Sequence, residues 1–376
     1  MTYVNDFEKI ISEQKNRVER MKGEGAPTDF TKKEHIVIGV IAGDGIGPII
    51  AKEARRVLER VLAKEIADAK IELRDIDGLT IENRLAVGKA IPDDVLASIK
   101  ECDVLLKGPT TTPDKKMGVA NIESANVALR RELDLFANVR PVNIPEQGIN
   151  WTFFRENTEG EYILGSRGVD VDEDISVDFK VTTTQGTRRI ARAAFEYAKA
   201  NGNLNVSIIT KANIMKKTDG KFLSLCLEIA KDYPNIKVDD YYVDIMAANL
   251  LKESSRSRYN VFVLPNLYGD IITDEAAQLQ GGVGTAGSAN IGGRYAMFEA
   301  IHGSAPRMIN EGRGQYANPA SMIKASEMML RHIGYAEKAD KLLTALMKTA
   351  DEKNMSGTAG SDTAKDFADT VIGYFI

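Results

Sequence analysis

Asn266-Leu-Tyr-Gly-Asp-Ile-Ile-Thr-Asp274 connects a predicted strand to a predicted helix and carries two aspartates. The run before it, Tyr259-Asn-Val-Phe-Val-Leu264, is rich in β-branched and apolar residues, which predicts a buried strand. The run after it, Glu275-Ala-Ala-Gln-Leu-Gln280, has helical composition. We therefore predict a strand, a tight turn at Gly269 and then the first turn of a helix.

The two aspartates of this stretch, Asp270 and Asp274, are four residues apart and share one face of the predicted helix. Two neighbouring carboxylates repel each other unless a cation lies between them, and a hard divalent metal with oxygen ligands meets that need. Acidic residues near a helix N-terminus also complement the helix macrodipole without any metal. The motif alone leaves both interpretations open, and the rest of the chain favours the metal site.

The composition is that of an ordinary globular protein. The chain has 376 residues, of which 43% are hydrophobic and 27% charged, which predicts two to three domains and excludes wholesale disorder. A net charge of −5 argues against a general nucleic-acid binder. Two cysteines, Cys102 and Cys226, cannot form a disulfide framework, which indicates a reducing compartment. With no signal-like N-terminus and no apolar run of membrane-spanning length, we expect a cytoplasmic protein without membrane contact.

Residues 1–34 are predicted to form an N-terminal helical extension. Their apolar side chains fall near helical spacing, with charged residues between them: Phe7, Ile10, Ile11, Val18 and Met21. Gly23-Glu-Gly-Ala-Pro27 then ends the helix. We expect this helix to dock on its own domain or on a sister subunit, and we assign it no chemistry.

Strands and helices alternate from Ile36 onward, which predicts an α/β protein. Ile36-Val-Ile-Gly-Val-Ile-Ala42 has the continuous apolar character of a parallel strand, and a helical pattern from Ile49 to Ala63 follows. The connecting loop, Gly43-Asp-Gly-Ile-Gly-Pro48, has G-x-G-x-G spacing rather than G-x-G-x-x-G, and no acidic residue closes a second strand as a dinucleotide site requires. The sequence therefore predicts α/β architecture but not a Rossmann fold.

Small hydroxyl residues follow another predicted strand. Cys102-Asp-Val-Leu-Leu-Lys107 leads into Gly108-Pro-Thr-Thr-Thr-Pro113, at the end of a strand where α/β sheets bind ligands. A surface turn bracketed by prolines explains this stretch at least as well. Strands are also predicted at 71–76, 135–139, 151–154, 205–210, 238–243 and near 297–300, and helices at 93–101, 124–134, 186–200, 244–251, 319–333, 338–350 and 366–374.

Three arginines, Arg130, Arg140 and Arg155, stand at or just past the ends of predicted elements. A single such arginine is ordinarily a solvated surface charge, but three could converge on an anionic ligand whose carboxylates suit the guanidinium fork. Asp244, Lys211 and Tyr162 also lie near strand ends or helix starts. Metal-binding acids, carboxylate-binding arginines and a Lys/Tyr proton-transfer pair together indicate chemistry on a hydroxy acid with several carboxylates.

From about Ile36 to its end, the chain resembles the β-decarboxylating dehydrogenases, the isocitrate/isopropylmalate dehydrogenase family. Seven motifs in the family's order carry the resemblance: Gly43-Asp-Gly-Ile-Gly-Pro48, Asn126-x-x-x-Arg130, Arg140-Pro, Arg155-Glu-Asn, Lys211-x-Asn-x-Met215, Asn266-Leu-x-Gly-Asp-x-x-x-Asp274 and Glu299-x-x-His-Gly-Ser-Ala-Pro306. The resemblance implies an NAD(P)-dependent, metal-assisted oxidative decarboxylation.

The resemblance also implies how the site is built. Asp270 and Asp274 of one subunit and Asp244 of its dimer mate would bind Mg²⁺ or Mn²⁺, which favours the alkoxide and then the enolate. Lys211, also from the mate, would help to remove the hydroxyl proton, and Tyr162 would protonate the enol carbon. A homodimer, or a higher oligomer with shared sites, is therefore the expected active form.

Substrate choice in this family depends on the residues just before the arginine helix. Ser124-Ala-Asn126 is small and polar, which resembles the isocitrate enzymes, with Arg130, Arg140 and Arg155 binding the carboxylates. Homoisocitrate or 3-isopropylmalate is the alternative, and the loop from Asp114 to Glu123 is longer than in the isocitrate enzymes. A non-catalytic regulatory subunit is a further alternative, against which the retained aspartates, Lys211 and Tyr162 argue.

The coenzyme site implied by the resemblance comprises Thr111, Thr112, Asn213, Glu299, His302, Gly303, Ser304, Ala305, Arg307 and Asn318. Arg307, just after His-Gly-Ser-Ala-Pro, indicates NADP, because a basic residue there suits the 2′-phosphate. Ala317-Asn318 and the late Ala350 and Asn354 resemble NAD-linked members. The loop from Met308 to Tyr316 is longer than usual. We favour NAD over NADP by a narrow margin.

The implied architecture has two domains with the active cleft between them. The large, cofactor-side domain is discontinuous, comprising residues 35–135 and 281–376. The small domain, residues 136–280, contains the dimer helices and a β arm near 160–183 that interlocks with its mate.

Overall fold

The computed structural model describes residues 2–23, 25, 27–113, 122–165, 167–202, 204–280 and 286–375. The α-helices are α1 (Thr2–Lys22), α2 (Gly47–Val61), α3 (Ala63–Ala67), α4 (Ile81–Val87), α5 (Asp93–Lys100), α6 (Ala125–Glu132), α7 (Thr184–Ala200), α8 (Thr218–Ala230), α9 (Val243–Leu251), α10 (Asn266–Leu279), α11 (Pro306–Asn310), α12 (Ala320–His332), α13 (Ala336–Glu352) and α14 (Ala364–Gly373). Most of the loop predicted from Asp114 to Glu123 lies outside the described residues.

The strands are β1 (Ile36–Ile41), β2 (Ile71–Asp75), β3 (Val104–Lys107), β4 (Ala137–Ile144), β5 (Ile149–Glu156), β6 (Val169–Asp170), β7 (Ser176–Val177), β8 (Val206–Thr210), β9 (Val238–Tyr242), β10 (Val261–Leu264), β11 (Gly287–Ile291) and β12 (Ala296–Ala300). Short 3₁₀ helices lie at Phe30–Lys32, Pro145–Gln147, Glu253–Arg258 and Gly314–Tyr316. None of the described helices is long and apolar enough to cross a membrane.

The chain divides into two compact units. The first comprises Met1–Pro27 and Asp134–Gln280, and the second comprises Thr28–Leu133 and Gly281–Ile376. The cofactor-side role of one domain and the dimer helices of the other stay predictions.

The second unit is built on strands in the order β2-β1-β3-β12-β11. β1 lies parallel to both β2 and β3, β3 lies parallel to β12, and β11 is antiparallel to β12. Every residue of β1 is buried, as its continuous apolar run predicts. Helices α2, α12, α13 and α14 pack around these strands and one another, so this unit has its own core.

The first unit is built on strands in the order β4-β5-β10-β8-β9. β4 is antiparallel to β5, whereas β5, β10, β8 and β9 run parallel. Its core is strongly aromatic: the rings of Phe153 and Phe262 stack with centroids 4.4 Å apart, and Trp151 meets both edge-on. Trp151 Nε1 donates to the carbonyl of Arg256 at 3.0 Å, so the buried indole is satisfied.

Helix α1 packs on the first unit, which is one of the two docking arrangements that its sequence allows. Ile10 joins a buried cluster with Ile163 and Leu164, and the Phe7 ring lies 5.6 Å from the ring of Phe179. β6 and β7 pair antiparallel in the region where a β arm was predicted. That the arm interlocks with a second copy stays a prediction.

The predicted turn at Gly269 is wrong, because α10 begins at Asn266 and Gly269 lies in its first turn. The glycine is needed for a different reason. A Cβ atom at Gly269 would lie 2.5 Å from Cγ and 2.7 Å from Cβ of Arg155. Helix α10 therefore packs so closely on the Arg155 side chain of β5 that no side chain fits at position 269.

Three further differences from the predicted elements concern β4 and two helices. β4 continues to Ile144, so Arg140 lies inside a strand, opposite Phe153, rather than past its end. Helices α4 and α8 were not predicted, because α4 is only seven residues long and α8 begins with Thr-Asp-Gly, which is typical of a turn. In both helices, packing outweighs weak local preference.

Two helical glycines give a matched test of the Arg155 contact. We expect Gly269→Ala to lower the free energy of unfolding by about 1–3 kcal/mol, because the added methyl overpacks the buried Arg155 side chain. Gly220→Ala, in the first turn of α8, meets nothing within 4 Å and should raise it by about 0.5–1 kcal/mol. Urea denaturation measures both changes, and a neutral Gly269→Ala would contradict the close contact.

Candidate active site

Arg155 is the centre of a polar cluster in the first unit. It is the penultimate residue of β5, and its side chain is 1% exposed. Its Nε and Nη2 donate to Oδ1 of Asn266 at 3.0 and 2.7 Å, and its Nη1 donates to Asp270. The first turn of α10 therefore holds the guanidinium in one orientation, with Asn266 as a partner whose role the sequence did not reveal.

Tyr162 joins the same cluster through its hydroxyl group. The Tyr162 hydroxyl donates to Oδ2 of Asp270 at 2.7 Å, and the Arg155 guanidinium carbon lies 5.3 Å from the centre of the tyrosine ring. Three residues that the sequence selected from separate motifs are thus brought into direct contact. Asp270 connects the candidate proton donor to the candidate carboxylate-binding arginine.

Arg140 forms an ion pair with Asp274, as Arg155 does with Asp270. Arg140 Nη1 donates to Oδ1 of Asp274 at 2.8 Å and to the Thr273 hydroxyl at 2.6 Å, and Arg140 Nη2 lies 3.8 Å from Asp270 Oδ1. The two aspartates share a face of α10, as predicted. Repulsion between the two aspartates does not by itself require a metal, because two arginines already provide positive charge.

The aspartates nevertheless suit a hard divalent cation. Both offer carboxylate oxygens one helical turn apart, and their side chains are accessible, at 35% for Asp270 and 60% for Asp274. Among the residues that the structure describes, no group of three or more His, Cys, Asp or Glu side chains could hold a metal. Asp244 therefore does not complete the site with Asp270 and Asp274, and its contribution from a dimer mate stays a prediction.

Lys211 and Asp244 form a second pair in the first unit. Lys211 directly follows β8, and its Nζ donates to Oδ1 of Asp244 at 2.6 Å, which lowers the pKa of that carboxyl. The backbone N–H of Lys211 donates to Oδ2 of Asp219 at 2.7 Å. Asp219 is fully buried, and its other oxygen accepts from Lys180 Nζ at 2.6 Å. Asp219 and Lys180 were not among the predicted site residues, and α8, which carries Asp219, was itself not predicted.

In the second unit, Asp44 ties together the loops predicted to bind coenzyme. Its two carboxylate oxygens accept from the backbone N–H groups of Ile81 at 2.8 Å and Thr111 at 2.7 Å. The hydroxyls of Thr111 and Ser304 are 2.7 Å apart. A Cβ atom at Gly45 would lie 2.0 Å from the Ser304 carbonyl, so the glycine-rich loop packs directly against the backbone of the His-Gly-Ser-Ala loop.

Glu299 is a buried carboxylate shared by two cations. Its oxygens lie 3.2 Å from Arg130 Nη2 and 3.5 Å from Lys107 Nζ, and it accepts from Asn290 Nδ2 at 2.9 Å. Burial works to raise the pKa of Glu299, but Lys107 and Arg130 hold that pKa below its usual value. Burial lowers the pKa of Lys107. Glu299, predicted to contact coenzyme, thus fixes the arginine predicted to bind substrate.

The N-terminal end of α6 carries the two residues predicted to select isocitrate. Ser124 occupies the N-cap position, but its side chain makes no capping hydrogen bond. Asn126 Oδ1 accepts from the Thr110 hydroxyl at 3.1 Å, which links α6 to the Thr-Thr-Thr loop. Arg130 lies one turn further along the helix, on the same face as Asn126.

The other coenzyme candidates lie in different surroundings. Burial lowers the pKa of His302, so the imidazole is neutral near pH 7, and its Nε2 has no hydrogen-bond partner within the described ranges. Gly303 O lies 3.1 Å from His302 Nδ1, and Ala305 has a positive φ of 43°.

The side chains of Arg307 and Thr112 are exposed, that of Arg307 to 87%. Asn318 Oδ1 accepts from the Ala320 N–H at 2.9 Å. Asn213 belongs to the first unit, in the loop between β8 and α8.

Two glutamates in the second unit test the buried charge cluster. We expect Glu299→Gln to lower the free energy of unfolding by about 3–5 kcal/mol at pH 7, because Lys107 and Arg130 would lose their buried counter-charge. Glu132→Gln removes an exposed carboxylate 3.9 Å from Lys100 and should cost less than about 1 kcal/mol. Because the folded-state pKa of Glu299 is lowered, its stabilisation is present at neutral pH and is lost as pH falls below about 4. Thermal melts from pH 3 to pH 8 should therefore show the Glu299→Gln deficit shrinking in acid, and a deficit that does not depend on pH would contradict the ion pairing.

Comparison with known proteins places these residues in a family context. The family model described as isocitrate/isopropylmalate dehydrogenase matches residues 37–371. A homoisocitrate dehydrogenase from Methanocaldococcus jannaschii is 37% identical over 89% of this chain and 96% of its own length. A 3-isopropylmalate dehydrogenase from Archaeoglobus fulgidus is 39% identical over 89% of this chain and 98% of its own length.

A solved structure shares the fold. The crystal structure of isocitrate dehydrogenase from Methylococcus capsulatus superposes with a TM-score of 0.79 at 34% identity, covering 90% of this chain and 99% of that one. The α/β fold predicted from sequence, distinct from a Rossmann fold, is confirmed. The chain therefore belongs to the isocitrate/isopropylmalate dehydrogenase family, the β-decarboxylating dehydrogenases.

Proposed function

We propose that this protein catalyses the metal-dependent oxidative decarboxylation of isocitrate to 2-oxoglutarate and CO₂, with reduction of a nicotinamide coenzyme. The observation that supports the reaction most directly is the contact of Tyr162 and Arg155 with the same carboxylate, Asp270. A proton donor, a carboxylate binder and an accessible acid meet there in one chain. The second pair, Lys211 and Asp244, adds the proton acceptor that the reaction needs.

The charges of the first unit suit a substrate that binds together with a cation. Arg140 and Arg155 now neutralise Asp274 and Asp270. A substrate carboxylate bound by the arginines and a divalent cation bound by the aspartates would preserve this balance of charge. When bound, Mg²⁺ or Mn²⁺ supplies positive charge that stabilises negative charge developing on a substrate oxygen. The third metal ligand would be Asp244 of a dimer mate.

Each protein side chain then has a separate task. Arg130, Arg140 and Arg155 bind substrate carboxylates through their guanidinium groups. Lys211 helps to remove the hydroxyl proton, and Tyr162 delivers a proton to the carbon that has lost CO₂. Because Asp244 of a mate would complete the metal site, the proposed smallest active form is a homodimer.

Isocitrate is favoured over the other substrates by the start of α6. Ser124 and Asn126 are polar, which suits the additional carboxylate of isocitrate and does not suit the apolar side chain of isopropylmalate. The named relatives act on homoisocitrate and 3-isopropylmalate at similar identity, so they support the reaction class and not the choice of substrate. Homoisocitrate, longer by one methylene group, is the second candidate.

NAD is the proposed coenzyme because the basic residues near the coenzyme loop are already paired. Glu311 accepts from Arg307 Nε at 2.6 Å and from Arg313 Nε at 2.8 Å. Arg313 Nη1 also donates to the Gly357 carbonyl at 2.5 Å. Pairing with this one carboxylate reduces the positive charge that the two guanidinium groups would offer to a 2′-phosphate. The basic Arg307 is thus compatible with NAD.

The proposed reaction is tested by following NADH and NADPH formation from isocitrate, homoisocitrate and 3-isopropylmalate, with Mn²⁺ and with a chelator. We expect the highest kcat/KM with isocitrate and NAD, and no turnover once the metal is removed. Tyr162→Phe should lower kcat by about 100-fold or more, because the proton donor is lost. Tyr374→Phe, whose hydroxyl instead binds the surface residue Glu352, is the matched control and should keep its rate.

Other outcomes of that assay lead to different assignments. Preference for 3-isopropylmalate would show that Ser124 and Asn126 do not select the substrate. Absence of turnover with every substrate and coenzyme would overturn the proposed function in favour of a regulatory subunit.

Coenzyme choice is tested by Glu311→Gln. The change removes the carboxylate that binds Arg307 and Arg313, and we expect the NADP/NAD ratio of kcat/KM to rise about tenfold, equivalent to roughly 1.4 kcal/mol. The double variant Glu311→Gln/Arg307→Met should lose most of this gain. An unchanged ratio in Glu311→Gln would contradict the role given to Glu311.

A further inference from the structure

Helix α1 makes an unexpected contact with the segment that carries Tyr162. The helix spans Thr2–Lys22 and lies outside the residues matched by the family model, which begin at 37. Its Arg17 is buried, although the residues beside it in the helix are largely exposed. Arg17 Nη1 donates to Glu159 Oε1, and Nη2 donates to the Thr158 hydroxyl, both at 2.9 Å. An arginine from the N-terminal extension is thus part of the interior beside the candidate active site.

Arg17 meets two carboxylates that are themselves buried. Glu156 accepts from the N–H and hydroxyl of Thr158, both at 2.8 Å, and from the Glu159 N–H at 2.7 Å. Glu159 accepts from the Thr183 N–H at 2.8 Å and from the Thr183 hydroxyl. Among the described residues, Arg17 is the one cation hydrogen-bonded to either carboxylate. Burial and the neighbouring Glu159 raise the pKa of Glu156 to about 7, while Arg17 acts to lower it.

Little room is left for the carboxylate of Glu159 to move. A Cβ atom at Gly186, in the first turn of α7, would lie 2.3 Å from Glu159 Oε1. Thr183, which caps α7, holds the carboxylate from the same side. Loss of Arg17 would therefore leave a buried negative charge that cannot turn toward another cation, at a large energetic cost.

A continuous series of hydrogen bonds leads from Glu159 to the candidate active site. The Glu159 carbonyl accepts from Asn266 Nδ2 at 3.0 Å. The Oδ1 atom of the same Asn266 holds Arg155, and Arg155 and Tyr162 both bind Asp270. The segment from Glu156 to Tyr162 thus carries both the partner of Arg17 and the candidate proton donor.

We propose that Arg17 is a positioning residue for the active site, and that α1 acts within the same chain to hold the Glu156–Tyr162 segment in its productive position. The inference deepens the proposed function and rests on it. Arg17 touches neither substrate nor reacting atoms. It fixes the carboxylate of Glu159, and through the backbone of that residue it fixes Asn266, Arg155 and the approach to Tyr162.

The main test compares Arg17→Met with Arg20→Met, an exposed arginine on the same helix. We expect Arg17→Met to lower kcat by roughly ten- to 100-fold, because displacement of catalytic groups by about an ångström has effects of this size. Its KM should change less than its kcat. Arg20→Met should match the wild type. Equal kcat in the two variants would overturn the proposal.

A second substitution separates positioning from general loss of structure. Arg17→Met/Glu159→Gln removes the buried negative charge that lost its partner, and it should recover most of the kcat and the melting temperature. Arg17→Lys keeps the charge but not the two-pronged contact, and should fall between wild type and Arg17→Met. If the double variant melts like the wild type but kcat is not restored, or if neither is restored, the positioning role is wrong.

The pH dependence of stability gives a readout that does not depend on the substrate. Among the described residues, the side chains that bond the two carboxylates are Arg17 from α1, Thr158 from the same segment and Thr183 at the start of α7, and of these only Arg17 is charged. Because Arg17 acts to lower the pKa of Glu156, its removal raises the folded-state pKa of Glu156 further above the unfolded value. The Arg17→Met variant should therefore melt close to the wild type near pH 5 and progressively lower as pH rises toward 8.

That measurement distinguishes two kinds of failure. Absence of turnover in the wild type with every substrate, together with a pH-dependent Arg17→Met deficit rescued by Glu159→Gln, would reject the proposed function and keep the contact between α1 and the buried pair. A melting deficit that is the same from pH 5 to pH 8 would reject the charge-neutralising role of Arg17, whatever the substrate.

Discussion

The buried guanidinium of Arg155 is the interaction on which the candidate active site depends. It stands at the end of β5 and is held by Asn266 at the start of α10, so it joins a strand of the first unit to the helix that carries both aspartates. The helix approaches so closely that only glycine fits at position 269. If the guanidinium moved, Asp270 would lose its ion pair and Tyr162 would lose the cation beside its ring. The end of β5, the start of α10 and the glycine at 269 thus together fix the position of the Arg155 guanidinium.

Three buried ion pairs in this protein adjoin candidate site residues. The ion pairs of Glu299 with Arg130, of Asp219 with Lys180 and of Glu159 with Arg17 all lie at the ends of strands or helices that carry candidate site residues. Such pairs cost desolvation energy, and apolar residues of similar volume often stabilise a core as well or better. What ion pairs add is a single permitted geometry, since each oxygen and nitrogen requires a partner. These three pairs hold Arg130, Lys211 and the Tyr162 segment.

Membership of the family determines the reaction class but not the substrate. The fold and the acid, arginine, lysine and tyrosine set suit oxidation followed by decarboxylation of a hydroxy acid. Relatives named for homoisocitrate and 3-isopropylmalate match over most of the chain. In the proposed function, substrate choice depends on a few side chains at the start of α6, because one methylene or one carboxylate is discriminated by local contacts.

The sequence by itself determined the α/β class and the family, because alternating apolar runs and fixed motif spacings are local properties of the chain. It placed Asp270 and Asp274 on one helical face, since helix geometry alone decides that. It could not show that Gly269 lies within the helix, that Arg140 lies inside a strand, or that Arg17 reaches Glu159. The bonds of Arg17 to Glu159, of Arg140 to Asp274 and of Arg155 to Asp270 join residues more than 100 positions apart, and only the packed tertiary structure brings such residues together.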